Sequence, residues 1–501
     1  MTEPLVLALD QGTTSTRAIL FERSGKALGD ASRPLAQAYP QDGWVEHDAE
    51  TIFDAAVAVL RETLQKTGRS VKDVAALGIT NQRETTVVWD RATGRPIHPA
   101  IVWQDRRTAE VCERLRARGA EAEVTAVTGL LLDPYFSATK IAWILDAVPG
   151  ARKRALAGEL LAGTIDCWLV WKLTGGRVHA TDATNASRTL LMELEAQTWS
   201  PAMCALFDVP ETMLPQIRDT AGDFGEVDAA LLGAALPIRG VAGDQQAALM
   251  GQGCVHAGEA KATYGTGLFM LLHTGEAAPR STARLLTTVA ARLNGRATYA
   301  LEGSAFIAGA ALQWLGEGLG APGGPRGAEP LARTARPDHG VVLVPAFTGL
   351  GAPYWDADAR GAIFGLTRDS GLAEIADAAF DACALQTRDL IEAMRIDAPQ
   401  AFGQGNEAEL RIDGGMAKSA WFAQRLADIT GLPVAPAAYS ETTALGAALF
   451  AGLGAGLFET PEAAAEASPH AGRLQPGADD SWRSQKYGRW QEAVRRTRSE
   501  A

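Results

Sequence analysis

Asp10 is followed by Gln11, Gly12, Thr13, Thr14, Ser15, Thr16 and Arg17, and this polar stretch lies between two apolar runs, residues 5–9 and 18–21. The pattern reads as strand, tight turn, strand. Backbone N–H groups and hydroxyls in such a turn form a concave anion site. The carboxylate beside it can hold a magnesium ion, which takes hard oxygen ligands and keeps several of its waters. The turn therefore suits the phosphates of a nucleotide. It is not a Walker loop, because the chain contains no G-x-x-x-x-G-K-[ST]. Taken alone, it is also compatible with an ordinary polar hairpin.

A second acidic turn occurs at Gly243-Asp244-Gln245-Gln246, where an apolar run ends in a carboxylate followed by small residues. Two carboxylates at two strand ends suit phosphoryl transfer: one positions the metal, the other accepts the proton of an attacking hydroxyl. A helix cap is an equal reading of Asp244 in isolation. Arg83 and Glu84, just past another apolar run, place a donor beside an acceptor, the mixture that a small polyol needs. An exposed ion pair of little energetic weight is the alternative. Trp103, Tyr135 and Phe136 can wall a carbon backbone, although lone aromatics are more often core. There is no H-E-x-x-H, G-x-S-x-G or G-x-G-x-x-G after a first strand, and the seven His are scattered. Metalloprotease, covalent-nucleophile and hydride-transfer chemistry thus lack support.

These residues need elements to hold them. Ile52, Ala56, Leu60 and Leu64 recur at helical spacing, which predicts a helix over 48–65 stopped by Gly68. Residues 74–80 read as a buried strand ending in Asn81-Gln82-Arg83-Glu84, and 85–89 as another. Ligands in α/β sheets bind past such strand ends. Residues 260–272 repeat the opening pattern of strand, Gly/Thr turn and strand, and 411–415 form a strand entering an Asp-Gly turn before a helix over 421–429. Two related α/β halves are expected, each opening with a hairpin. Residues 316–327, rich in Gly and Pro, read as a mobile surface loop. Trp482, Tyr487, Trp490 and Val494 form a stripe that docks a last helix.

At 501 residues the chain has room for two or three domains, and its composition is that of a globular protein. A net charge of −12 argues against nucleic acid or anionic membrane as partner. The five Cys are scattered without a C-x-x-C, which predicts free thiols in a reducing compartment and no zinc site. No signal peptide and no membrane-spanning stretch are read, so the cytoplasm is expected.

Together these segments resemble the glycerol kinases, of the sugar and polyol (FGGY) kinase family. The likeness runs in order through residues 10–17, 81–85, 101–104, 133–137, 181–188, 242–247, 262–267, 345–355, 413–415 and 443–447. It implies two actin-like ATPase (ribonuclease H-like) α/β domains with a cleft between them. Residues 1–253 would carry the glycerol site and first phosphate turn, and 254–501 most of the nucleotide pocket. It implies ATP and Mg²⁺, with Asp10 and Asp244 near the metal and Asp244 as the catalytic base. Glycerol would meet Arg83, Glu84, Tyr135, Asp244 and Gln245, with Trp103 and Phe269 as its apolar wall. Thr13, Thr14, Ser15 and Arg17 would meet phosphates; Thr266, Gly309, Gln313 and Gly415 would line the nucleotide pocket. A dimer or tetramer of identical chains is also implied. Two departures stand out. Ser419, preceded by Lys418, occupies the place where the family usually has an Asn near adenine. Residues 228–236 have neither the Gly-rich, Arg-containing loop that binds fructose bisphosphate in regulated members nor the His that is phosphorylated in others.

Overall fold

The computed structural model describes residues 4–401 and 408–499. Strands β1 (Leu5–Gln11), β2 (Ser15–Phe21) and β3 (Ala27–Pro34) form an antiparallel run, with Asp10 opposite Arg17. Helix α1 (Ala49–Thr67) begins where Asp48 accepts hydrogen bonds from the Glu50 and Thr51 amides, and it stops at left-handed Gly68. Strands β4 (Val74–Asn81) and β5 (Leu236–Gly243) then add in parallel beside β1, and helix α2 (Asp244–Gly251) follows β5 without a loop. The order across this sheet is Glu226–Val227, β5, β4, β1, β2, β3. A smaller sheet of four short strands carries the segments around Glu84 and Trp103.

The second half repeats the plan. Strands β6 (Ala260–Tyr264) and β7 (Leu268–Gly275) form a hairpin, extended antiparallel by β8 (Leu286–Leu293) and β9 (Arg296–Ala305). Helices α3 (Gly309–Glu317) and α4 (Leu372–Asp397) precede β10 (Leu410–Gly414), which lies parallel to β6. Helix α5 (Ala420–Thr430), strand β11 (Val434–Pro436), and helices α6 (Thr442–Gly454) and α7 (Asp480–Thr497) complete the fold. The sheet order is β8-β9-β7-β6-β10-β11. The sequence β5-β4-β1-β2-β3 thus maps onto β11-β10-β6-β7-β9, the repeat expected from the two hairpins. Strands β1 and β4 are covered on both faces and read as nearly continuous apolar runs, and β6 is largely buried too although it carries Lys261.

Helix α6 follows the strands of the second sheet in the chain but packs on the first, against β1, β4, β5 and α2. The approach is backbone to backbone. A Cβ on Gly446 would run into the Ala247 carbonyl, one on Gly251 into that of Thr442, and one on Gly78 into that of Ala447. The small residues at 443–447 are accounted for by this contact. Helix α7 docks through Trp490 and Val494, and Tyr487 and Trp490 both donate to the buried Asp389.

One expectation is corrected. Residues 316–327 are not a continuous loop, because α3 runs to Glu317 and a helix begins at Gly324. Pro325 lies in the first turn of that helix, where its missing N–H costs nothing. The five Cys are free and buried. Among the described residues no helix is long and apolar enough to cross a membrane.

Candidate active site

The parallel register explains why the candidate residues meet. Gln11 pairs with Asn81, and Asn81 with Gly243, so β1, β4 and β5 end side by side. Asp10, the 81–84 segment and Asp244 therefore share one edge. In the second half Tyr264 pairs with Gly414, which sets the 265–267 turn beside Gly415.

The three rings expected to wall the substrate, Trp103, Tyr135 and Phe269, lie together and come from both halves. The Trp103 ring meets Tyr135 edge-on at 5.6 Å and Phe269, from β7, at 6.3 Å. Its indole N–H donates to the Thr13 hydroxyl at 2.9 Å, tying the wall to the phosphate turn.

Arg83 and Glu84 depart from the simple pairing. Both are buried, and their guanidinium and carboxylate stand 4.0 Å apart. Their closer partners lie elsewhere. Arg83 Nε meets Asp244 Oδ1 at 3.0 Å, and Nη1 and Nη2 meet the two oxygens of Glu302 at 2.5 and 3.1 Å. Glu84 Oε1 accepts from Arg188 Nε at 2.6 Å, and Arg188 Nη2 reaches Glu302 Oε1 at 3.0 Å. Burial alone would lift the Glu302 carboxyl, but Arg188 and Arg83 outweigh it and hold it down at about 2. Glu84 occupies the left-handed region, at φ 61°, an unfavourable conformation for a residue with a side chain. Its carbonyl accepts from Thr86 Oγ1 at 3.0 Å, Ser137 Oγ at 3.1 Å and Lys140 Nζ at 3.4 Å. Lys140 also holds the Tyr135 carbonyl at 2.6 Å.

Asp244 opens α2, with Gly243 as the capping residue, and its carboxylate stays one-third exposed to the cleft. It accepts from the Gln245 amide at 2.7 Å. The Gln245 side-chain oxygen is held by buried Lys261, whose Nζ also meets Thr263 Oγ1 at 3.0 Å.

In the turn between β1 and β2, the Gly12 amide donates to the Ser15 carbonyl at 2.9 Å, with Thr14 exposed and Thr13 and Ser15 half-buried. Arg17 Nη1 pairs with Glu441 at 2.5 Å. Loss of hydration, then the nearby charges of Asp244 and Glu441, push Asp10 from its ordinary 3.8 up to about 7, with Arg17 pulling the other way. A carboxylate crowded by others is the donor set that a divalent cation relieves. No cluster of three or more metal-ligating side chains occurs among the described residues. The fit is therefore to a hard cation that completes its shell with water and phosphate oxygens.

Among the residues expected to line a nucleotide pocket, Gly309 starts α3 and donates to the Gly265 carbonyl at 3.0 Å, and the Ala308 amide donates to the Thr266 carbonyl at 2.9 Å. Gln313 lies on α3, its amide donating to Glu317 at 2.9 Å. A Cβ on Gly415 would meet nothing within 4 Å, so open space borders that backbone. Ser419 caps α5, its hydroxyl accepting from the Phe422 amide at 3.0 Å. Sequence reasoning gave no role to Glu302, Arg188, Lys140 or Lys261. The available signal was a lone charge inside an apolar strand at Glu302 and Lys261, since such residues are rarely buried unless paired.

Comparison with known proteins agrees over the whole chain. Residues 5–251 match the N-terminal domain of the FGGY family of carbohydrate kinases, and 260–455 its C-terminal domain. The chain is 54% identical over 493 residues to a glycerol kinase of Alcanivorax borkumensis, covering 98% of each. It is 53% identical over 496 residues to glycerol kinase 1 of Pseudomonas aeruginosa, covering 99% of each. Among solved structures, Plasmodium falciparum glycerol kinase with ADP superposes with a TM-score of 0.92 at 34% identity, over 99% of this chain and 98% of that one. A gluconate kinase from Lactobacillus acidophilus superposes at 0.89 with 20% identity over 99% of both chains, a likeness of fold alone.

Proposed function

The chain belongs to the FGGY family of carbohydrate kinases, and on that premise we propose that it transfers the γ-phosphoryl group of ATP to a terminal hydroxyl of glycerol, giving sn-glycerol 3-phosphate. The observation that carries the reading is the convergence of Asp244, Arg83, Glu84 and the Trp103–Tyr135–Phe269 wall at one strand-end cleft. Glycerol offers three hydroxyls and a short carbon chain, which that mixture of donors, acceptors and ring edges complements. A site built around hydroxyls rejects analogues lacking them more strongly than an apolar pocket can.

In this reading Asp244 takes the proton of the attacking hydroxyl as its oxygen bonds to the γ-phosphorus, and the bond from that phosphorus to the bridging oxygen of ADP breaks. Arg83 donates to glycerol oxygens while it also holds Asp244; Glu84 accepts from glycerol. Gln245, fixed by Lys261, holds the same substrate end. Thr13, Thr14, Ser15 and Arg17 receive the phosphates, and Thr266, Gly309, Gln313, Gly415 and Ser419 border the nucleoside. Asp10 and Asp244 would hold Mg²⁺, whose charge would offset that developing on the phosphates. The aromatic wall sheds water, which would otherwise compete as nucleophile. The same reading assigns residues 1–253 and 254–501 as the two domains, a cytoplasmic enzyme, and a homo-oligomer that sedimentation would size.

A coupled assay of ADP release with and without glycerol tests the activity. ADP release must depend on glycerol. Higher kcat/KM on another polyol or on a ketose would move the assignment within the family. Release that ignores every polyol would overturn it in favour of a nucleotide-dependent binding protein.

A further inference from the structure

The proposed glycerol residues do not stand alone. Glu302 lies on β9, inside the second sheet, opposite Leu271 and Leu286. A carboxylate there is costly unless paired. Its oxygens take three hydrogen bonds, two from Arg83 and one from Arg188, and Arg188 passes a fourth bond on to Glu84. The result is a closed run of alternating charge, Glu84–Arg188–Glu302–Arg83, buried throughout. The Arg188 guanidinium also lies 5.5 Å from the Tyr135 ring centre and 5.3 Å from that of Phe136. One side chain thus touches Glu84 and Tyr135 and, through Glu302, reaches Arg83. Among the described residues Arg188 Nη1 has no hydrogen-bond partner, a buried donor left over beside the two nitrogens that bind carboxylates.

We propose that Arg188 and Glu302 are positioning residues for the polyol: they lock Arg83 and Glu84 as donor and acceptor, so that the second half of the chain takes part in substrate selection. The proposal rests on the reading of Arg83 and Glu84 as glycerol ligands. A buried ion pair is a weak source of net stability, and its clearer consequence is orientation. With Glu302 in place, both terminal nitrogens of Arg83 are fixed from one side, and the plane of the guanidinium is set. With Arg188 in place, one Glu84 oxygen is occupied and the other is left for a hydroxyl.

Glu302→Gln, Glu302→Asp and Arg188→Lys separate this role from a purely structural one. Initial rates would be measured against glycerol at saturating ATP, and against ATP at saturating glycerol. Thermal unfolding with and without glycerol gives a readout independent of turnover. The expected result is a glycerol KM raised about tenfold or more in Glu302→Gln and Arg188→Lys, with kcat and ATP KM within about threefold of the parent. The glycerol-induced rise in unfolding temperature should shrink in parallel, and Glu302→Asp should recover part of both. A glycerol KM within about twofold of the parent, or glycerol and ATP KM rising together, would overturn the proposal. Should Glu302→Gln fail to fold, Arg188→Lys, which keeps the charge and loses the fork, decides the matter. The unaltered protein is the control for the underlying reading: if it turns over another polyol instead, the split is read on that polyol, and the failure belongs to the glycerol assignment.

Discussion

At the scale of single residues, Asp244 and Asp10 make opposite predictions. Asp244→Asn keeps its bonds to Arg83 and the Gln245 amide within reach but cannot accept the proton. The kcat should fall by about 10²–10⁴ while glycerol still protects the protein against heat. An enzyme that keeps its kcat would remove Asp244 from that role. Asp10 carries a raised carboxyl, from 3.8 to about 7. Below its unfolded value the group contributes nothing. As pH climbs towards 7 the unfolded chain ionises while the folded one holds its proton, so stability is lost over that interval. In the absence of nucleotide and metal, Asp10→Asn should therefore raise the unfolding temperature at pH 8 by roughly 1–3 °C and change it little near pH 4. With Mg²⁺ and ADP bound, the order should reverse. Calorimetry at the two pH values checks both halves. Asp10, Asp244 and the Arg83-Glu84 pair were legible because each follows an apolar run that had to be a strand. Glu302 and Arg188 were not. Their partners lie more than a hundred positions away, and nothing local marks which charges will meet.

At the scale of elements, α5 and the α2–α6 contact carry the next expectations. Ser419→Ala removes the cap of α5 and should cost about 1 kcal/mol of stability. In Ser419→Asn the side-chain carbonyl can cap the helix while its NH₂ remains free. ATP should then tighten relative to GTP by up to about 1 kcal/mol, measured as the ratio of their Kd values. An unchanged ratio would mean that Ser419 or Lys418 already makes the contact. Gly446→Ala inserts a methyl where the Ala247 carbonyl lies. Overpacking of this kind should cost about 1–3 kcal/mol, and kcat should fall because α2 carries Asp244. A variant with parental unfolding temperature and kcat would show that the two helices separate easily. Helix α1, the two hairpins and α7 were readable from period, caps and turns. The helix starting at Gly324 was not, because Gly and Pro signal a break as readily as a first turn. That α6 crosses to the other sheet was also hidden: its Ala and Gly fit any close packing and name no partner.

At the scale of the whole molecule, the segment before β5 bears on control. Asp228 caps the short helix Ala229–Leu232 and pairs with Arg177 at 3.4 Å, Arg239 pairs with Asp223 at 2.5 Å, and Arg61 donates to the Leu231 carbonyl at 2.6 Å. A bisphosphate needs clustered donors, and here Arg177 and Arg239 are each held by a carboxylate and Arg61 by a backbone carbonyl. Initial rates should be unchanged by fructose bisphosphate up to about millimolar concentration, since an effector acts only through differential affinity. Saturable inhibition lost in Arg239→Ala would contradict this. The position of α6 reaches further. The first sheet is complete in strands once Gly243 has been made, yet the helix that covers β1, β4 and β5 is not translated until residue 454. For some two hundred residues of synthesis, at the usual ribosomal pace of about 5–20 residues per second, that sheet waits with an apolar face open. A nascent chain halted near residue 260 should accordingly be protease-sensitive and bound by chaperones, and should become resistant only once α6 has cleared the exit tunnel.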